Sequence, residues 1–192
     1  MEIRYLGKKA IALKGKKETI LVNEDFTKAK INSRVSVYTD HNSVSPIFVD
    51  QGIVIAGAGE YEVGGVDING WVDGSGGTLY TITIDGIEVM VLDSIDKELD
   101  DKKIEKIDGV DVLVVSIDKL NGISGKNYLN LAKKLGANYL LPIGFTKGDE
   151  KINKFLDDVD EEGLEYLDCL KVDKDDLPDG LEIKLIKNEG CN

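Results

Sequence analysis

Residues 57–71 read GAGEYEVGGVDINGW, and the choice between two readings of this stretch decides the fold. Glycine-dense runs cradle phosphate when they join a strand to the N-terminus of a helix, where backbone amides can close on the ligand. Here Gly57-Ala58-Gly59 lacks the third glycine of a dinucleotide fingerprint, and no helical periodicity follows. The run continues into GSGG at 74–77. Glycines so placed shape bulges and turns between twisted strands, so the stretch reads as β-structure.

The flanking segments agree. EIRYL, AIAL, TILV, VSVY and IFV are short apolar runs separated by Gly, Lys or Asn, and nothing up to about residue 93 has a helical period. LYTITIDGIEVMVLD, 79–93, holds two β-rich runs around Asp85-Gly86, a pair suited to a tight hairpin because both turn positions want positive φ. After Leu92 the character changes. DDKKIEKI is a short helix candidate, and GVDVLVVSI is a buried strand. GKNYLNLAKKLG puts Tyr128, Leu131, Ala132 and Leu135 on one helical face, with Gly136 as C-terminal cap. ANYLLPIG is a strand, and EKINKFLDDV a helix with Ile152, Phe155 and Leu156 on its apolar face. LEYLDCL and LEIKLI read as closing strands, the last with Leu181, Ile183 and Leu185 alternating against one wet face. The acidic run DDVDEE is the solvated end of a helix. No linker or repeat divides the chain, so residues 1–192 are expected to form a single domain of two sheets covered by helices.

Composition narrows the function classes. At 42% hydrophobic residues the chain can build a core. Its formal charge of −12 repels phosphate backbones and anionic lipid, so neither nucleic acid nor a membrane is an expected partner. There is no signal-peptide pattern and no membrane-length apolar run; Cys169 and Cys191 form no zinc-type pair. A cytoplasmic protein with free thiols is the expectation.

Chemical motifs are sparse. KVDKDDLPDG places Asp173 and Asp175 at calcium-loop spacing, but Pro178 stands where that loop needs glycine and Lys184 where it needs an acid. It reads as a turn. GISGK and DGSGG do not match a nucleophile elbow. One histidine exists, His41, in VYTDHNSV. Asp40-His41-Asn42 suits a turn. It also looks like the tail of a metal-binding signature, yet side-chain metal sites usually take three or four converging ligands.

Taken together, these segments resemble metallo-β-lactamase-fold proteins, in the branch of small zinc-dependent hydrolases similar to the ascorbate-phosphate lactonases. GAGEYEVGGVDINGW is close to that group's G-P-G-E-Y-E-V-x-G-V segment, and IRYLGKKAIALKGKKETILVN, the run from IDGIEVMVLD to GVDVLVV, LLPIGF, INKFLDD and LKVDKDDLP also correspond. The resemblance implies an α/β fold, an αββα sandwich, with zinc as the family's cofactor. The family's site uses H-x-H-x-D-H, a further histidine after G-E-Y-E-V, a bridging aspartate and a last histidine in P-M-H-Y. Position by position, this sequence keeps Asp40 and His41. Ser36 and Tyr38 stand in the H-x-H places, GWVDGSGG offers no histidine, Ser94 (beside Asp93) takes the bridging aspartate's place, and Gly144 that of the last histidine. Lys8 stands where the family often has histidine.

With most ligands missing, no metal, cofactor or catalytic residue is expected, and Asp40 and His41 are vestigial candidates. The reading is a catalytically inactive member, a pseudoenzyme binding a small molecule or protein, its exposed strand edges able to pair in a homodimer. The competing reading is a metal-dependent hydrolase with a rebuilt site of Asp40, His41 and nearby carboxylates such as Asp93 or Asp73, using magnesium or manganese. On this mapping, Ser94→Asp with Gly144→His should restore one zinc site.

Overall fold

A computed structural model describes residues 1–23, 31, 33–40, 42, 52–73, 76–93, 98–107, 109–118 and 123–188. In chain order its strands are β1 (Glu2–Gly7), β2 (Ala10–Lys14), β3 (Thr19–Val22), β4 (Val35–Val37), β5 (Ile53–Ile55), β6 (Gly59–Val63), β7 (Val66–Val72), β8 (Thr78–Ile84), β9 (Ile87–Leu92), β10 (Val112–Ser116), β11 (Tyr139–Ile143), β12 (Tyr166–Leu167), β13 (Leu170–Lys171), β14 (Glu182–Ile183) and β15 (Leu185–Ile186). The described helices are α1 (Asp101–Ile104), α2 (Gly125–Leu135) and α3 (Glu150–Asp158). None of the described helices is long and apolar enough to cross a membrane.

The strands form a first sheet in the order β13-β1-β2-β3-β4-β5 and a second in the order β14-β11-β10-β9-β8-β7-β6, with β12 and β15 paired apart. The period-two side-chain rule explains how they stack. Ile11 and Leu13 of the first sheet meet Ile82, Val89, Val91, Val112 and Val114 of the second in one buried cluster. The alternate residues Met90, Leu92, Leu113 and Val115 point the other way, onto Tyr128, Leu131, Ala132 and Leu135 of α2 and Ile152 and Phe155 of α3. Each central strand of the second sheet is therefore apolar on both faces, which is why GVDVLVVSI carries no alternation. On the far face of the first sheet the register partners Ala12 and Leu21 are buried too, so that face is also covered. The architecture is the αββα sandwich that the sequence implied.

The opening stretch is β-structure. GEYEV is β6, VDINGWV is β7, and Gly64 and Gly65, at φ 63° and 83°, turn one into the other. Asp85 and Gly86 have φ of 54° and 78° between the paired Ile84 and Ile87, so the hairpin stands where expected. Pro142 sits inside β11 without breaking the sheet, because β14 pairs only with Tyr139 and Leu140 and leaves the strand's far half as an edge.

Two expectations need correction. LEIKLI is not one strand: it breaks at Lys184 into β14, beside β11, and β15, beside β12. LEYLDCL divides likewise, with β12 against β15 and β13 against β1. Each of these two segments changes sheets partway along, and apolar alternation cannot register a change of partner. The candidate strand IFV lies outside the described residues.

Candidate functional site

Several strands end together at one rim of the sandwich. β9, β10 and β11 run parallel, so the residues after them, Asp93, Ile117-Asp118 and Gly144, emerge on the same side. β3 and β4 are also parallel and deliver Asn23 and Thr39. Carboxyl ends of parallel strands are where open α/β sheets carry ligand sites.

The polar groups at this rim form one connected cluster spanning both sheets. The Thr39 hydroxyl lies 3.0 Å from Asn23 Oδ1 and 3.2 Å from Asp93 Oδ2, and the Thr39 amide donates to Asn23 Oδ1 at 2.8 Å. Lys9, from the turn between β1 and β2, reaches across and places Nζ 2.8 Å from Asp93 Oδ1 and 2.9 Å from Oδ2. The same ammonium is 3.9 Å from Asp118 Oδ2. The Ser116 hydroxyl is 3.3 Å from Asp118 Oδ1. Thr39 and Ser116 are fully buried, whereas the side chains of Lys9, Asp93 and Asp118 retain 29%, 19% and 28% of their exposure. Two carboxylates thus share one ammonium, half sheltered from solvent.

Tyr5 braces the rim from below. Its ring is buried, and its hydroxyl accepts from the amides of Gly144 (2.9 Å) and Phe145 (3.1 Å) and lies within donating distance of the carbonyls of Lys8 (2.9 Å) and Phe145 (3.0 Å). This fixes Gly144 at φ 88°, a left-handed backbone suited to glycine. A Cβ at Gly144 would stand 2.9 Å from the Asp118 amide nitrogen and 3.0 Å from Ser116 Oγ. A restored histidine therefore has no space here, which overturns the expectation that Gly144→His would rebuild a ligand.

The other expected residues are placed as follows. Asp40 Oδ1 accepts from the Asn42 amide at 2.9 Å and its side-chain nitrogen at 3.0 Å, an Asx turn that fits the turn reading of TDHN. His41 and Ser94 lie outside the described residues. Ser36 alternates with the core residues Val35 and Val37, and Tyr38 is buried. Asp73 closes the β7–β8 loop by accepting from the Gly77 amide at 3.0 Å, and Thr78 ties that loop to the Thr39 carbonyl at 2.8 Å. Lys8, which stands where the family often has histidine, is exposed with φ 50°; its neighbour Lys9 turns inward. Sequence reasoning passed over Lys9, Thr39, Asn23 and Asp118, for which the sole signal was Lys-Lys in a turn between two apolar strands.

With the Lys9 ammonium in place, the described donors are a poor fit to a metal. Among the described residues no three His, Cys, Asp or Glu side chains come together to hold an ion. Asp93, the carboxylate nearest the bridging position, is already chelating an ammonium.

Residues 2–144 match the family model described as a beta-lactamase superfamily domain. The chain belongs to the metallo-β-lactamase superfamily. Comparison with curated proteins yields no match. Among solved structures, a Thermotoga maritima protein assigned to the Zn-dependent hydrolases of this superfamily superposes with a TM-score of 0.79 at 22% identity, over 97% of this chain and 99% of its own. Igni18, a metallo hydrolase from Ignicoccus hospitalis, gives 0.61 at 14% identity over 97% and 95%. The metallo-beta-lactamase fold protein YhfI from Bacillus subtilis gives 0.57 at 11% identity over 97% of each chain. At these identities the likeness carries the fold.

Proposed function

We propose that this chain is a metal-free member of its superfamily that acts by binding, to a small molecule or a protein that includes a second copy of itself, rather than by hydrolysis. The observation that carries the reading is the Lys9–Asp93 pair at the strand ends. Metal-dependent hydrolysis relies on a cation with an open coordination position, which lowers the pKa of bound water until hydroxide exists near neutrality. An ammonium supplies charge and three N–H donors but no vacant orbital to coordinate a water lone pair and acidify the water. The crowding around Gly144 supports the same reading, because it removes space for a nitrogen ligand. The charge of −12 argues for partners other than nucleic acid or anionic lipid.

Elemental analysis of protein purified without chelator, paired with hydrolysis assays on generic phosphodiester and lactone substrates, tests this. The expected result is far less than one transition-metal ion per chain and no chelator-sensitive turnover. Stoichiometric metal with turnover abolished by chelator would instead establish the hydrolase, with Asp40, His41, Asp73 and Asp93 as first candidates for ligands.

A further inference from the structure

We infer that the Lys9 ammonium is a tethered cation that closes a site its carboxylates would otherwise offer to a free divalent ion. The inference rests on the metal-free reading above. Lys9 belongs to the first sheet's β1–β2 turn, whereas Asp93 and Asp118 follow β9 and β10 of the second. The ammonium therefore joins the two layers as well as compensating charge. Its contact with Asp93 is bidentate, at 2.8 and 2.9 Å, and Asp118 stands on its other side at 3.9 Å. Around it are hydroxyls of two fully buried residues, Thr39 beside Asp93 and Ser116 beside Asp118. Among the described residues the groups placed around it are oxygens, two carboxylates and two hydroxyls, which is the donor chemistry of a hard cation. Magnesium and manganese bind through one or two carboxylates while keeping several waters. Lysine supplies one positive charge where a divalent ion would bring two, so the cluster stays one unit negative by count of these three side chains.

The geometry singles out Lys9→Met, which keeps the apolar stem and deletes the charge. In this variant the melting temperature should fall by roughly 3–8 °C, as loss of a half-sheltered charge partner implies. Millimolar Mg²⁺ or Mn²⁺ should restore several degrees, and equilibrium dialysis should find one Mn²⁺ per chain. The unmutated protein should show neither response. Lys9→Arg, which keeps the charge, should behave as the unmutated protein. Lys9→Met with Asp93→Asn, which removes both charges, should recover stability and bind no Mn²⁺.

Lys9→Met that binds no Mn²⁺, or that stays unfolded with and without the ion, overturns the tethered-cation assignment. If the unmutated protein is metal-free in that case, the function proposed above stands on its own. An equal Mn²⁺ response in the unmutated protein overturns both.

Discussion

The Tyr5 hydroxyl is one atom with four backbone neighbours, two amides that donate to it and two carbonyls within reach of its proton. A hydroxyl has one proton and two lone pairs, so it satisfies both amides and one carbonyl at a time. Tyr5→Phe fills the same space but strands the buried amides of Gly144 and Phe145. A cost of about 2–4 kcal/mol follows, read as a lower denaturant midpoint with unchanged m-value. Tyr80 carries a different test. Burial pushes its phenol up to about 12, and the hydroxyl donates to the Gly57 carbonyl at 3.1 Å. Its folded pKa is raised above its unfolded value near 10, so its contribution to stability is complete below pH 10 and is lost as pH rises toward 12. The slope over that window is about 1.4 kcal/mol per pH unit. Tyr80→Phe should flatten that part of the pH–stability curve. At neutral pH the substitution should cost under about 1 kcal/mol, since Tyr61 also donates to the Gly57 carbonyl, at 3.1 Å. Single residues were the least legible scale in the sequence. Two lysines stand side by side after Gly7, and which one faces the site is set by the register shift between Tyr5 and Gly7 and by φ of 109° at Gly7. Residue type carries no trace of that backbone geometry.

Among the elements, α2 and the hairpin of β8 and β9 were legible because local chemistry decides them: apolar residues at helical spacing, Gly136 at φ 70°, and Asp-Gly where positive φ is needed. The divided strands near the C-terminus were not, because partner choice there depends on where β11 and β12 lie. The meeting of α2 with α3 gives a prediction whose sign separates local from tertiary effects. Gly125 opens α2, and its amide donates to Asp158 Oδ2 on α3 at 2.8 Å. An added Cβ would stand 2.8 Å from both the Asp158 Cβ and the Phe155 carbonyl oxygen. Helix propensity alone says that Gly125→Ala gains about 1 kcal/mol. Overpacking against a fixed backbone oxygen costs about 1–3 kcal/mol. The second effect is the larger, so Gly125→Ala should lower the melting temperature by several degrees. A higher melting temperature would mean that α2 and α3 do not approach this closely.

At the scale of the whole molecule, the sandwich was legible because its layers follow from alternation: one set of side chains faces the other sheet, the next set faces the helices. Of the rim only Asp93 was legible, because Lys9, Thr39 and Asp118 come from connections far apart in the chain and meet it only when both sheets stack. The last prediction concerns restoring a metal at that rim. The sequence says that Ser94→Asp with Gly144→His returns two ligands. The packed molecule opposes this in three ways. Gly144 has φ 88°, which histidine adopts at a cost. Its Cβ would press within 2.9 Å of the Asp118 amide nitrogen, a backbone atom that cannot rotate aside. Its own amide is held by Tyr5 at 2.9 Å, so the backbone cannot relax without breaking that bond. Lys9 moreover already lies against Asp93, at 2.8 Å. The double variant should therefore bind no stoichiometric zinc in competition with a chelator, and should lose about 2–4 kcal/mol of stability. Gly144→Ala isolates the cause. It adds only the Cβ, so it should show much of that loss, while Ser94→Asp alone should not. If Gly144→Ala is neutral and the double variant takes up one zinc per chain, the rim has more space than this packing allows, and Lys9 yields its place to a true metal.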